Sequence, residues 1–177
     1  MKCFDGVKMN MQNKLIMAGL VLSLSACAGV RDVDHKWCPP EVTAPTVVTE
    51  RVNLAADALF NFDKASSTDL LPAGKTTLEK LAATLKDGYV QVDKIALVGH
   101  TDRLGNDKYN YQLGLRRSET VKAYLQSLGV TAPITTASAG ETQPITNCVG
   151  VKPTPALKAC LQPDRRVAVE ITGVRKK

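Results

Sequence analysis

The apolar run Ile95–Val98 gives way at Gly99 to a polar stretch, HTDRLGND, and then to a longer segment whose apolar positions recur at helical spacing. "QVDKIALVGHT" predicts a buried strand, and Leu113, Val121, Leu125 and Leu128 share one face of a helix over about 109–128 that Gly129 stops. A strand feeding a helix through a loop commits the domain to a sheet with helices packed on it. The loop and helix also carry opposite charges: an acidic residue, Asp102, and an arginine pair, Arg116 and Arg117. Three readings of that pattern are open, namely a reactive site, a receptor for something with both charges, or a salt bridge at the start of a helix.

The flanking segments supply the rest of the sheet. In "ERVNLAADALFNF", Val52, Leu54, Ala56, Ala58 and Phe60 alternate as a strand does. "DKASSTDLLPAG" is rich in turn residues, with Asp69 a cap before Pro72. Leu78, Leu81, Ala82 and Leu85 mark a helix from about Ala73 that ends at Gly88. "APITTASAGE" is a third strand, a helical turn is expected at Ala156–Leu161, and "DRRVAVEITG" is a final strand with Val167, Val169 and Ile171 alternating. The fold class expected is α+β, ordered β-α-β-α-β-β, a mixed sheet with helices on one face.

The N-terminus reads as an export signal. Lys8 and Lys14 precede an apolar run from Leu15 to Leu24, too short for the ~20 residues a spanning helix needs. "MKCFDGVK" fits poorly ahead of it, so translation starting at Met9 or Met11 is an expectation. Leu24-Ser25-Ala26-Cys27 resembles the lipobox of bacterial lipoproteins, which implies a lipid on Cys27 and, with Ala28 after it, the outer membrane. The expected division is 1–26 signal peptide, 27–49 lipidated N-terminus and Pro-containing linker, 50–173 folded domain, and 174–177 basic tail. Without residues 1–26 the chain keeps 20 basic and 16 acidic residues, a mild excess with no basic stripe, so nucleic acid is not an expected partner. In an oxidising space Cys148 and Cys160 make a sensible bridge, leaving Cys38 over. His35 and His100 are the only histidines and no CxxC spacing occurs, so neither a metal nor another cofactor is expected.

Four stretches, "FNFDKAS", "LVGHTDRLGNDKYNYQLGLRRSETVKAYL", "ASAGETQPI" and "PDRRVAVEITG", resemble the OmpA-like peptidoglycan-binding domain family. "NC…KAC" ahead of "LQPDRRV" is similar to that family's disulfide loop. The resemblance implies a non-enzymatic domain that holds peptidoglycan by the diaminopimelate of its stem peptide, a side chain ending in an amine and a carboxylate on one carbon. It implies that Asp102 takes the ammonium and Arg117 the carboxylate. Asn110, Thr101, Leu113 and Arg165 match further contact positions, and Phe62 and Asp63 border the same pocket. A chain of this kind, anchored by lipid in the outer membrane with its domain in the periplasm, tethers membrane to wall. The alternative is an interaction module for periplasmic envelope proteins, using the linker and Cys38, with wall binding secondary.

Blander roles are weighed beside these. Arg116 lies about 100° round the helix from Arg117 and reads as surface or structural. Of Arg165 and Arg166, one is expected at the site and the other solvated. Asp63 can bond its own loop amides. His100 reads as a structural histidine with its hydrogen bonds satisfied, since no nucleophile or third group accompanies it and no catalytic residue is expected.

Overall fold

The computed structural model describes residues 45–177; the expected signal peptide, Cys27, Cys38 and nearly all of the linker lie outside the described residues. Among the described residues, four strands form one sheet: β1 (Val47–Ala55), β2 (Tyr89–His100), β3 (Ile134–Gly140) and β4 (Arg166–Arg175), in the order β1-β4-β2-β3. β4 is antiparallel to both neighbours, and β2 and β3 are parallel. Parallel strands need a crossover, supplied here by α3 (Asp107–Ser127). The other helices are α1 (Ala56–Leu59), α2 (Pro72–Asp87) and α4 (Pro155–Cys160).

One face of the sheet is the core. Leu54, Ile95, Leu97, Ile134, Val167, Val169 and Ile171 are buried there against Leu78, Leu81 and Leu85 of α2 and Val121 and Leu125 of α3. On the other face Lys94, Thr135 and Glu170 are exposed, the alternation of a sheet covered on one side. The mixed sheet with its helices on one face is the expected α+β arrangement. The stripe 78, 81, 82, 85 is the buried face of α2, with Pro72 in its first turn and Gly88 at its end.

Several details differ from the sequence reading. Alternation does not run through residue 60: the chain turns at Ala56 into α1, so Leu59 is buried and Ala58 exposed. Ala56 N donates to Arg165 O at 2.9 Å, which takes this segment off the strand path just past the Ala55–Arg166 pair. Asp69 does not cap α2, whose N-cap is Leu71; it closes a capping box with Ser66 on the 3-10 turn Ser67–Asp69. Leu128 is partly exposed, outside the α3 seam. β1 starts at Val47, inside the expected linker, and β4 continues through Val174 and Arg175, into the expected basic tail. Arg175 bonds Glu50 at 2.8 Å and lies over the Tyr89 ring, so these residues finish the sheet.

Glycine sets how closely α3 approaches the sheet. A Cβ on Gly99 would collide with the Gly114 carbonyl, and one on Gly114 would meet Ser138 Oγ and the Gly99 carbonyl. Helix and strand touch backbone to backbone at this crossing, which brings the first half of α3 against the end of β2.

Candidate functional site

The C-terminal end of β2, the first turns of α3, the end of β1 and the start of β4 meet at one edge of the domain. After His100 the chain leaves the sheet, and Asp102 Oδ1 accepts the Leu104 amide at 2.9 Å. Gly105 takes φ +115°, a left-handed conformation few other residues tolerate. Asn106 caps α3, its Oδ1 accepting the amides of Lys108 and Tyr109. One turn on, Asn110 Nδ2 donates to the carbonyls of Asp102 and Leu104 at 3.3 and 3.4 Å. Asn110 thereby laces the loop to the helix, a role the sequence reading did not assign it.

This edge holds a cleft of about 390 Å³. All eight residues expected at the site line it: Phe62, Asp63, Thr101, Asp102, Asn110, Leu113, Arg117 and Arg165. Asp57, Tyr109 and Lys158 join them from α1, α3 and α4. Asp57 and Lys158 are not among the residues expected from the sequence, where Tyr109 marks only the start of a helix. Phe62 stands at the rim, 81% exposed. Beside it Asp63 adopts φ 59°, and its Oδ1 accepts the Tyr109 hydroxyl at 2.6 Å rather than bonding its own loop amides. That bond raises the Tyr109 pKa above its usual value, with smaller help from burial.

The charges on the two walls are organised differently. Arg165 binds Asp57 through Nε and Nη2 at 2.8–3.1 Å, and its Nη1 reaches Asp102 Oδ2 at 2.7 Å and the Lys158 carbonyl at 3.3 Å. These bonds, the one to Asp57 foremost, raise the Arg165 pKa further. Arg117 is 2% exposed. Its Nε donates to the Lys64 carbonyl at 3.0 Å and its guanidinium lies 5.7 Å from the centre of the Phe60 ring. Its Nη1 is buried with no hydrogen-bond partner, and no carboxylate of the described residues forms an ion pair with it. Burial pulls the Arg117 pKa down, opposed by the charges of Asp57 and Asp63. An arginine nevertheless stays charged in a protein. The simple Asp102–Arg117 salt bridge is absent; Asp102 pairs with Arg165 instead.

Arg116 is exposed, as expected. Arg166 is not solvated but buried behind the sheet, donating to the carbonyls of Asp164 and Gln143. His100, 1% exposed, faces the same side, and neither ring nitrogen has a partner, contrary to the expectation of satisfied hydrogen bonds. Burial first, then the charges of Arg166 and Arg51, push its pKa down to about 4. It is a buried residue, neutral at pH 7, that does not line the cleft.

The floor near Lys158 depends on a second, smaller core. Cys148 and Cys160 form a disulfide, and Cys148 packs with Leu157, Leu161 and the loop residue Leu104. Arg103 ties this segment to the Asp102 loop through the carbonyls of Cys148 and Gly150, at 2.8 Å each. A larger groove, about 770 Å³, lies at the other end of the domain among Ala82, Leu85, Tyr89, Val92, Leu128 and Val130, without converging charges of this kind.

Comparison with known proteins bears on the family and the fold. The family profile described as "OmpA family" matches residues 60–151. The chain is 39% identical over 159 residues to outer membrane protein A of Escherichia coli O157:H7, covering 88% of this chain and 45% of that one. It is 40% identical over 135 residues to the Shigella flexneri outer membrane protein A, covering 75% of this chain and 38% of that protein. The chain therefore spans less than half the length of these two relatives. In fold it resembles the OmpA-like domain of FopA1 from Francisella tularensis subsp. tularensis SCHU S4, with TM-score 0.53 at 21% identity over 73% of this chain and 76% of that one. With more than half of its residues matched by the family profile and the same fold around them, this chain belongs to the OmpA family.

Proposed function

We propose that the cleft is a receptor for the diaminopimelate side chain of peptidoglycan, and that the protein is a non-enzymatic tether between wall and membrane. The observation that carries this reading is Arg117, a buried guanidinium on the lining of a cleft with no ion-pair partner among the described residues, beside carboxylates already engaged with another arginine. A buried cation without a counter-ion is costly, and a ligand carboxylate is the group that relieves the cost. Arginine's planar fork suits a carboxylate in bidentate fashion. The amine on the same ligand carbon then falls to Asp102, with Asn110 holding the loop in place. Leu113 and Phe62 offer apolar surface for the methylene stem. Charge-assisted hydrogen bonds contribute ~1.5–3 kcal/mol each, so single stems bind modestly and a polymer adds avidity.

The lipid on Cys27 belongs to the same reading: the N-terminus is held in the outer membrane and the domain faces the wall. Co-sedimentation of the protein with purified peptidoglycan tests the site. Wild type is expected in the pellet, with Asp102→Ala and Arg117→Ala left in the supernatant. Sedimentation of both variants like wild type would contradict the assignment. Radiolabelled palmitate incorporated by wild type and not by Cys27→Ser tests the anchor.

A further inference from the structure

Arg165 stands between two carboxylates, and that changes the charge of its wall. A lone Arg165–Asp102 pair is neutral, and its guanidinium, 2.7 Å from the carboxylate, repels any ammonium that approaches. Asp57 engages the same guanidinium with three contacts at 2.8–3.1 Å. Two carboxylates around one guanidinium leave this three-residue cluster with one net negative charge. Opposite, Arg117 supplies one positive charge that no described carboxylate pairs with. The other charged groups at the cleft are Asp63, occupied by the Tyr109 hydroxyl, and Lys158.

The backbone fixes this arrangement. The β1–β4 ladder ends at the Ala55–Arg166 pair, and Ala56 N bonds Arg165 O at 2.9 Å. Asp57 and Arg165 therefore leave the end of one ladder side by side, which explains the short helical turn where the strand pattern predicted more strand. Asp57 is 30% exposed and open to the cleft, so its charge is felt there.

We propose that Asp57 is a specificity-determining positioning residue. By holding Arg165, it keeps a net negative charge at Asp102 for a ligand ammonium. It thereby selects ligands with a free amine beside the carboxylate over ligands with the carboxylate alone. This rests on the receptor reading above and adds to it a residue that need not touch the ligand.

The test is calorimetric titration of the protein with two stem tripeptides, one carrying diaminopimelate and one carrying 2-aminopimelate, which keeps the distal carboxylate and lacks its amine. Wild type is expected to prefer the first by about tenfold, the scale of one charge-assisted bond. Asp57→Asn is expected to lose most of that preference while its affinity for the amine-free peptide stays near the wild-type value. Asp57→Glu is expected to restore part of the preference. Thermal melting accompanies each variant, and Asp57→Ser gives the same reading if the amide is not tolerated. An unchanged preference in Asp57→Asn overturns the proposal, as does an equal loss for both peptides, which marks a purely structural role. If wild type binds neither peptide, the receptor reading itself fails, an outcome distinct from both.

Discussion

Two arginines line the cleft from opposite walls and differ in how their charge is met. Arg165 has Asp57, Asp102 and a carbonyl around it, and its donors are largely consumed within the protein. Arg117 is the more deeply buried, yet has one carbonyl, one aromatic ring and an unpartnered Nη1. A saturated guanidinium is a structural fastening. A buried, under-satisfied one stores unfavourable free energy that a ligand can release. Under the proposed receptor reading, Arg165 belongs to the scaffold and Arg117 to the ligand.

The contrast can be broken by stability measurements. Arg165→Met leaves Asp57 and Asp102 without their counter-ion, and breaking such a buried pair typically costs ~3–5 kcal/mol. With Asp57 partly exposed, about 3 kcal/mol and a clear fall in melting temperature are expected. Arg117→Met removes a buried charge that lacks an ion-pair partner and keeps similar volume, so the melting temperature is expected to hold or rise. Equal destabilisation by both substitutions would erase the distinction.

A second test separates the small core from the main one. Replacing Cys148 and Cys160 with serine releases a loop of separation 12, worth ~2–3 kcal/mol by chain entropy. The loss is expected on the Arg165 side, through Lys158 and the Arg103 contacts, with ligand binding weakened and not abolished. Amide exchange should accelerate at 148–161 and stay slow in α3.

An effect absent at neutral pH concerns His100, on the far face of the sheet. Its folded pKa, about 4, lies below the usual 6.5 of an unfolded chain. The unfolded state therefore binds more protons between those values, and stability falls as pH drops from about 6.5 toward 4. The full span is worth about 3 kcal/mol. His100→Gln should flatten urea-unfolding stability over this window and leave wall binding at neutral pH unchanged. A pH dependence identical to wild type would show that other groups cause the loss.

Much of this was legible in the sequence because patterns with one period leave one solution. The stripes of α2 and α3 and the strand at Ile95–Leu97 are read from apolar spacing. Arg117 also lies on the α3 seam, four residues from Leu113 and from Val121, where a cation is out of place unless it has a task. Asp57 was hidden because alternation continues formally through Ala56 and Ala58, and only the hydrogen bond to Arg165 turns the chain there. The internal partner of Asp102 is illegible for the same reason: Arg165 stands just before β4, 63 residues away, and no local pattern encodes a contact at that range. Arg165 and Arg166, adjacent in sequence, reach opposite sides of the sheet edge, and both are used inside the protein.

The central claim is that Arg117 is held unsatisfied for a ligand carboxylate. Calorimetric titration of wild type and Arg117→Met with the diaminopimelate tripeptide tests it most directly. The account predicts saturable binding by wild type and a loss of about a hundredfold or more in the variant, the scale of a buried charge pair broken on one side, with melting temperature maintained. Comparable affinity in the two proteins would contradict it.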